Sequence, residues 1–188
     1  MLVESASNTI SESEYGTHAL VIYENLETLR EFYSQYIKKR IEEKNEFIQL
    51  ASFYETEDSV RKTLSAGHVS IDVDKWEKTE NSLMIMDSLK KYLGNESQQS
   101  ENNSDKDLVG YAKEKGKAGV SFLGDMGPFR YEHRIQDLLT YESSLPTRYD
   151  IDLKRLCLYH QKDFNTLSKE QKQKLLSHHA FAIKIWYF

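Results

Sequence analysis

Six short apolar runs, rich in β-branched and aromatic residues, punctuate this chain at 18–23, 47–53, 69–73, 118–124, 153–159 and 181–187. Runs of that length read as strands, and those without polar alternation read as strands covered on both faces. The stretches between them have a different period. Over 25–44 the apolar residues Leu26, Leu29, Phe32, Tyr36, Ile37 and Ile41 step by three and four, leaving Lys38, Lys39, Glu42 and Glu43 for water. That spacing predicts an amphipathic helix. Further helices are expected over 57–66, where Glu57 and Asp58 suit the first turn and Gly67 the stop, over 82–93 with Ser82 as cap, and over 108–115, 130–145 and 168–177. Strands alternating with helices require crossovers, and crossovers build a mainly parallel sheet with helices on both sides. The expected fold class is therefore α/β, a three-layer α/β/α sandwich. In the last run Phe181, Ile183, Ile185 and Tyr187 alternate with Ala182, Lys184 and Trp186. This two-faced pattern places a C-terminal strand at the sheet edge.

A chain of 188 residues, 39% hydrophobic and 29% charged, suits one domain that buries roughly 70% of its unfolded surface without staples. Residues 1–16 are rich in Ser, Glu and Thr and are expected to form a flexible tail before a single domain over 17–188. Residues 94–107 contain no large apolar side chain and read as an exposed insertion. The net charge is −5, with acids interleaved among the bases, so no cationic footprint for direct nucleic-acid binding exists. Cys157 is the single cysteine, and the N-terminal segment lacks the charged start and apolar run of a secretion signal. A reducing, cytoplasmic setting is expected, with no membrane partner, because no run approaches the roughly 20 apolar residues of a span.

In an open parallel sheet ligands bind beyond the carboxyl ends of the strands. That geometry selects Tyr23 and Glu24, Phe53 and Tyr54, Asp125 and Met126, and Tyr159 and His160. Two readings stand: an aromatic pocket lining for a small, weakly polar molecule, or rings that merely close the sheet. Asp125 occupies the place where nucleotide-binding folds hold magnesium, yet the first strand-to-helix junction reads Tyr23-Glu24-Asn25-Leu26-Glu27. It has no glycine or lysine to cradle phosphates, and Gly116-Lys117 precedes a strand instead of following one. Glu142 falls on the apolar stripe of its helix with Tyr131, Ile135, Leu138 and Leu145. An inward carboxylate needs a partner, whether as part of a site or of a packing network. The histidines have no metal-ligand spacing, and the adjacent His178 and His179 are expected to point apart. Cys157 lies inside an apolar strand and reads as packing, and no nucleophile elbow is present. No catalytic constellation, metal site or cofactor is expected.

The order of these landmarks resembles the MEDS domain, a sensory domain of methanogens, methylotrophs and the dichloromethane regulator DcmR. The resemblance rests on His18 and Tyr23 in HALVIY, Gly124-Asp125-Met126, Glu142 in LTYESSLP, Cys157, Tyr159 and Phe164 in CLYHQKDF, and His178. The family usually has Glu at the place of Asp125, commonly an acid at that of His160, and often Pro after the histidine matched by His178. The resemblance implies a RecA/KaiC-like fold without the P-loop and a non-enzymatic sensory role. The expected ligand is a small, hydrocarbon-derived molecule among Tyr23, Glu24, Tyr54, Asp125, Met126, Glu142, Tyr159 and His160. Output would pass through a signalling protein or self-association. The alternatives are a protein-interaction module that uses the edge strand near Trp186, and residual ATP binding without hydrolysis.

Overall fold

The computed structural model describes residues 1–94 and 101–186, the side chains of 101–103 excepted. Six strands, β1 (His18–Tyr23), β2 (Phe47–Ser52), β3 (Leu83–Asp87), β4 (Val120–Asp125), β5 (Leu153–His160) and β6 (Phe181–Ile185), form one sheet in the order β3-β2-β4-β5-β1-β6. Every pairing is parallel. The central strands are buried along their length because helices cover both faces, as their unbroken apolar runs require. β6 is the edge, with exposed Ala182 and Lys184 alternating with buried Ile183 and Ile185, while Tyr187 of the expected run lies outside the described residues.

On one face lie α1 (Val3–Glu12), α2 (Leu26–Lys38) and α3 (Glu57–Ala66), which pack Ile10, Phe32, Tyr36, Val60 and Leu64 against Val21, Leu50, Leu123 and Leu156. On the other lie α4 (Ser88–Leu93), α5 (Glu101–Glu114), α6 (Gly127–Tyr131), α7 (Ile135–Ser144), α8 (Gln161–Asn165) and α9 (Lys169–Ser177). They pack Tyr92, Val109, Phe129, Leu138, Phe164 and Leu175 against Leu20, Phe122 and Cys157. Helix starts follow local chemistry. Asn25 Oδ1 accepts from Thr28 N at 2.9 Å to cap α2, and Ser168 with Gln171 forms a capping box on α9.

Four expectations are corrected. Residues 1–16 are not a flexible tail: α1 buries Val3, Ala6 and Ile10, and its last carbonyls are taken by buried cations. Lys154 Nζ donates to Ser11 O at 2.7 Å and Ile10 O at 3.2 Å, and Arg40 Nη1 donates to Ser11 O at 2.7 Å. Cations at the negative end of a helix supply what the small side chains of this segment lack. The third strand is β3, not 69–73. Leu83-Met84-Ile85-Met86 fits either period, and it takes the strand form because Leu83 and Ile85 bury while Met84 faces out. Ile71, in a loop, and Val73, at the start of a short helical stretch, fill the same core, and Asp87, not Ser82, caps α4. The helix expected over 130–145 breaks at His133, whose φ is 57°, into α6 and α7. In the expected insertion over 94–107, residues 95–100 lie outside the described part. From Glu101 the chain is helical, and Arg155 Nη1 donates to Oδ1 and Oδ2 of buried Asp105 at 2.7 and 2.6 Å.

Candidate functional site

The connections leaving β1 and β2 run over one face of the sheet and those leaving β4 and β5 over the other. Crevices therefore open at the carboxyl ends of β1/β5 and β2/β4. Across this edge Tyr23, the last residue of β1, donates its hydroxyl to Asp125 Oδ2 at 2.6 Å. Asp125 ends β4, and its Oδ1 accepts from Gly127 N at 2.8 Å. Burial disfavours the carboxylate more than these two donors favour it, so the acid is pushed up to about 7, with Asp163 adding to the rise. Burial also raises the Tyr23 hydroxyl, and the neighbouring Asp125 raises it further. At neutral pH Asp125 thus exists in both forms, one a hydrogen-bond donor and one an acceptor only.

The rim continues through aromatic rings. His160 stands with its centroid 5.1 Å from that of Tyr23 and 5.2 Å from that of Tyr54. Its Nδ1 accepts from Lys162 N at 3.0 Å and so caps α8. Burial lowers its pKa. The Tyr54 hydroxyl donates to Asp163, and burial followed by that hydrogen bond raises it. On one side of Tyr54 a cleft of about 450 Å³ is lined by Phe53, Glu55, Thr56, Asp58 and Asp87 among others. On the other, Met126, Leu138, Tyr159, His160, Asp163 and Phe164 enclose a mainly apolar pocket of about 10 Å³, room for about one water. Tyr54 lines the cleft and Asp163 the pocket, and their hydrogen bond links the two linings.

Glu142 lies apart, on the α7 face of the sheet, and is buried as the apolar stripe predicts. Tyr159 donates its hydroxyl to Oε1 at 2.5 Å. Around Oε2 stand His179 Nε2 at 3.4 Å, His18 Nε2 at 3.6 Å and Cys157 Sγ at 3.7 Å. Burial lowers His18 to about 2, aided by His179 and Arg155. Burial raises the Cys157 thiol, and Glu142 raises it again.

The eight candidate residues are thus divided. Tyr23, Tyr54, Asp125 and His160 share the rim, and Met126 and Tyr159 line the pocket beneath it. Glu142 is joined to the pocket lining through Tyr159, and Glu24 is exposed in the turn after β1. The sequence reading missed Asp163, whose placement in the first turn of α8, directly after β5, is a usable signal. It also missed His179, which the structure directs at Glu142, whereas His178 caps α9. Nothing in local spacing marks that choice.

Where a phosphate cradle would stand, α2 begins with Asn25 holding Thr28 N and with Glu27 in its first turn. The family model of the MEthanogen/methylotroph, DcmR Sensory domain (MEDS) matches residues 17–180. Among solved structures, the KaiC-like protein PH0186 from the hyperthermophilic archaeon Pyrococcus horikoshii OT3 is similar at 15% identity and a TM-score of 0.57, covering 90% of this chain and 71% of that one. A second solved structure, an ATPase domain, is similar at 10% identity and a TM-score of 0.56, covering 93% of this chain and 70% of that one. These likenesses show a RecA/KaiC-like fold. No curated protein matches the chain. Among the described residues no helix is long and apolar enough to cross a membrane.

Proposed function

Because the chain belongs to the MEDS family of sensory domains, we propose that it is a non-enzymatic receiver that binds a small, largely apolar molecule at the carboxyl edge of its sheet. The observation that carries this reading is the contiguous cluster Tyr23, Asp125, His160, Tyr54 and Asp163 between an open cleft and an apolar pocket. Rings contribute apolar area there, and a carboxyl group that titrates near neutrality offers one adjustable polar contact. Binding would break the Tyr54–Asp163 hydrogen bond and shift the position of α8, which carries Asp163. That movement is the signal a partner protein or a second copy would read.

Nucleotide is the less favoured ligand, since Glu24 and Glu27 at the head of α2 repel phosphate. Docking through the edge strand is also less favoured. Leu2 makes a parallel bridge to Trp186, and Trp186 N donates to Met1 O at 3.2 Å, so part of that edge is already engaged. A thermal-shift screen of methylated and halogenated small organics against ATP with magnesium tests the proposal. A ligand at about 100 times its Kd adds about 2.7 kcal/mol, or roughly 5–11 °C for a domain of this size. The expected result is such a shift with an organic compound, weakened in Tyr54→Phe. A shift with magnesium-ATP and none with the organics would overturn the reading.

A further inference from the structure

Four side chains converge on the α7 face from separate parts of the chain: His18 at the start of β1, Glu142 in the last turn of α7, Cys157 in the middle of β5 and His179 between α9 and β6. Each is buried, and one potential ligand atom from each lies within 4.8 Å of the other three. Their protons can be counted. His18 Nδ1 lies 3.0 Å from Pro146 O, and His179 Nδ1 lies 2.7 Å from Leu175 O. A carbonyl oxygen only accepts, so each Nδ1 carries its ring's proton and each neutral ring turns a bare Nε2 lone pair inward. The Tyr159 hydroxyl proton is committed to its hydrogen bond with Glu142 Oε1. The Cys157 thiol proton is then the one left for three acceptors: two Nε2 atoms and Glu142 Oε2. His179 Nε2, fully buried, has no hydrogen-bond partner among the described residues.

The separations have a further meaning. Metal bonds of about 2.0–2.1 Å to N or O and about 2.3 Å to S, in a tetrahedron, set the ligand atoms roughly 3.3–3.7 Å apart. His18 Nε2 is 3.3 Å from Cys157 Sγ and 3.6 Å from Glu142 Oε2. Glu142 Oε2 is 3.4 Å from His179 Nε2 and 3.7 Å from Cys157 Sγ. We propose that this cluster binds a single divalent transition-metal ion of the zinc class through His18 Nε2, His179 Nε2, Cys157 Sγ and Glu142 Oε2.

The charges balance. On binding, the Cys157 proton leaves to solvent, and thiolate and carboxylate together neutralise the dication. Arg155, two residues earlier on β5, is already held by Asp105. A thiolate and two imidazoles select zinc or cobalt over magnesium or calcium. The outer contacts are also in place: Pro146 O and Leu175 O orient the two rings, and Tyr159 fixes the free oxygen of Glu142. Four protein ligands fill the coordination sphere, so the ion would act as a clamp joining β1, β5, α7 and the α9–β6 turn rather than as a reaction centre. This site lies on the opposite face from the Tyr23–Asp125 pair and stands whether or not that rim binds a small molecule.

The test is titration of the full chain, stripped of metal by chelation, with cobalt(II) and zinc(II). Cobalt should produce intense visible bands of a tetrahedral site and a near-ultraviolet thiolate charge-transfer band, saturating at one equivalent and erased by zinc. Zinc alone should raise Tm. Cys157→Ser should lose the charge-transfer band, and Tyr159→Phe should keep the spectrum while weakening zinc affinity about 10–100-fold. If Cys157→Ser does not fold, the wild-type cobalt spectrum decides. Folded wild-type chain that leaves cobalt with its weak aqueous spectrum and gains no stability from zinc overturns the proposal. A charge-transfer band that survives Cys157→Ser would overturn the ligand set.

Discussion

Asp125→Asn is the substitution with the most closely determined outcome, because it keeps the shape of a buried side chain and removes its titration. In the folded chain burial raises this carboxyl from 3.8 to about 7. The native state therefore holds a proton that the unfolded state has released, and between those values stability falls as pH rises. A group raised in the folded state contributes fully below its unfolded pKa and loses that contribution as pH passes through its folded pKa. The slope for one group is about 1.4 kcal/mol per pH unit, so the whole interval amounts to roughly 4 kcal/mol. Asparagine does not titrate and can still accept from Gly127 N and pair with the Tyr23 hydroxyl. The stability of Asp125→Asn relative to wild type should therefore increase with pH up to about 7 and level off above it. Urea unfolding of both proteins, followed by circular dichroism from about pH 5 to about pH 8.5, measures the difference directly. Parallel stability curves would refute the reasoning. A gap that narrows with rising pH would mean that the two hydrogen bonds outweigh burial.

Other substitutions probe the supports of the site. Ile10→Ala should cost about 2–5 kcal/mol in urea unfolding, since Ile10 is fully buried in α1 and a tail-like segment would tolerate the loss. Asp105→Ala should cost about 3–5 kcal/mol by leaving the buried Arg155 guanidinium without its carboxylate, and Arg155→Met with Asp105→Leu should recover most of it. Gly124→Ala should lower Tm, because a Cβ there would meet the Tyr92 hydroxyl and the Phe122 ring. Adding Tyr92→Phe should restore part of that loss; if it makes no difference, the clash is not with the hydroxyl.

What the sequence disclosed was whatever depends on neighbours along the chain. The HALVIY run is buried as a two-sided strand, helix 57–66 has the expected bounds, and Ser168 caps α9. Glu142 faces inward because its position on a helical stripe leaves no other choice. The rim residues were legible as a set because strand ends are local features and a parallel sheet brings them to one edge. Partners from distant elements were not. The placement of α1 depends on Lys154 and Arg40, cations far along the chain with no pattern pointing to residues 3–12. β3 was hidden because four apolar residues in a row satisfy two periods, and only the exposure of the sheet edge separates them. His179 faces Glu142 while His178 caps a helix. That one-residue distinction is set by how α9 ends.

The strand order also dictates how this protein can come off a ribosome. β1 is translated first, yet its two neighbours in the sheet, β5 and β6, are the last to be made. The trio β2, β3 and β4 can assemble as soon as it emerges, while β1 waits with both ladders unpaired until β5 and β6 follow. Closing contacts of such wide sequence separation is slow and leaves a sticky intermediate. HALVIY therefore stays without its strand partners until β5 and β6 have both emerged.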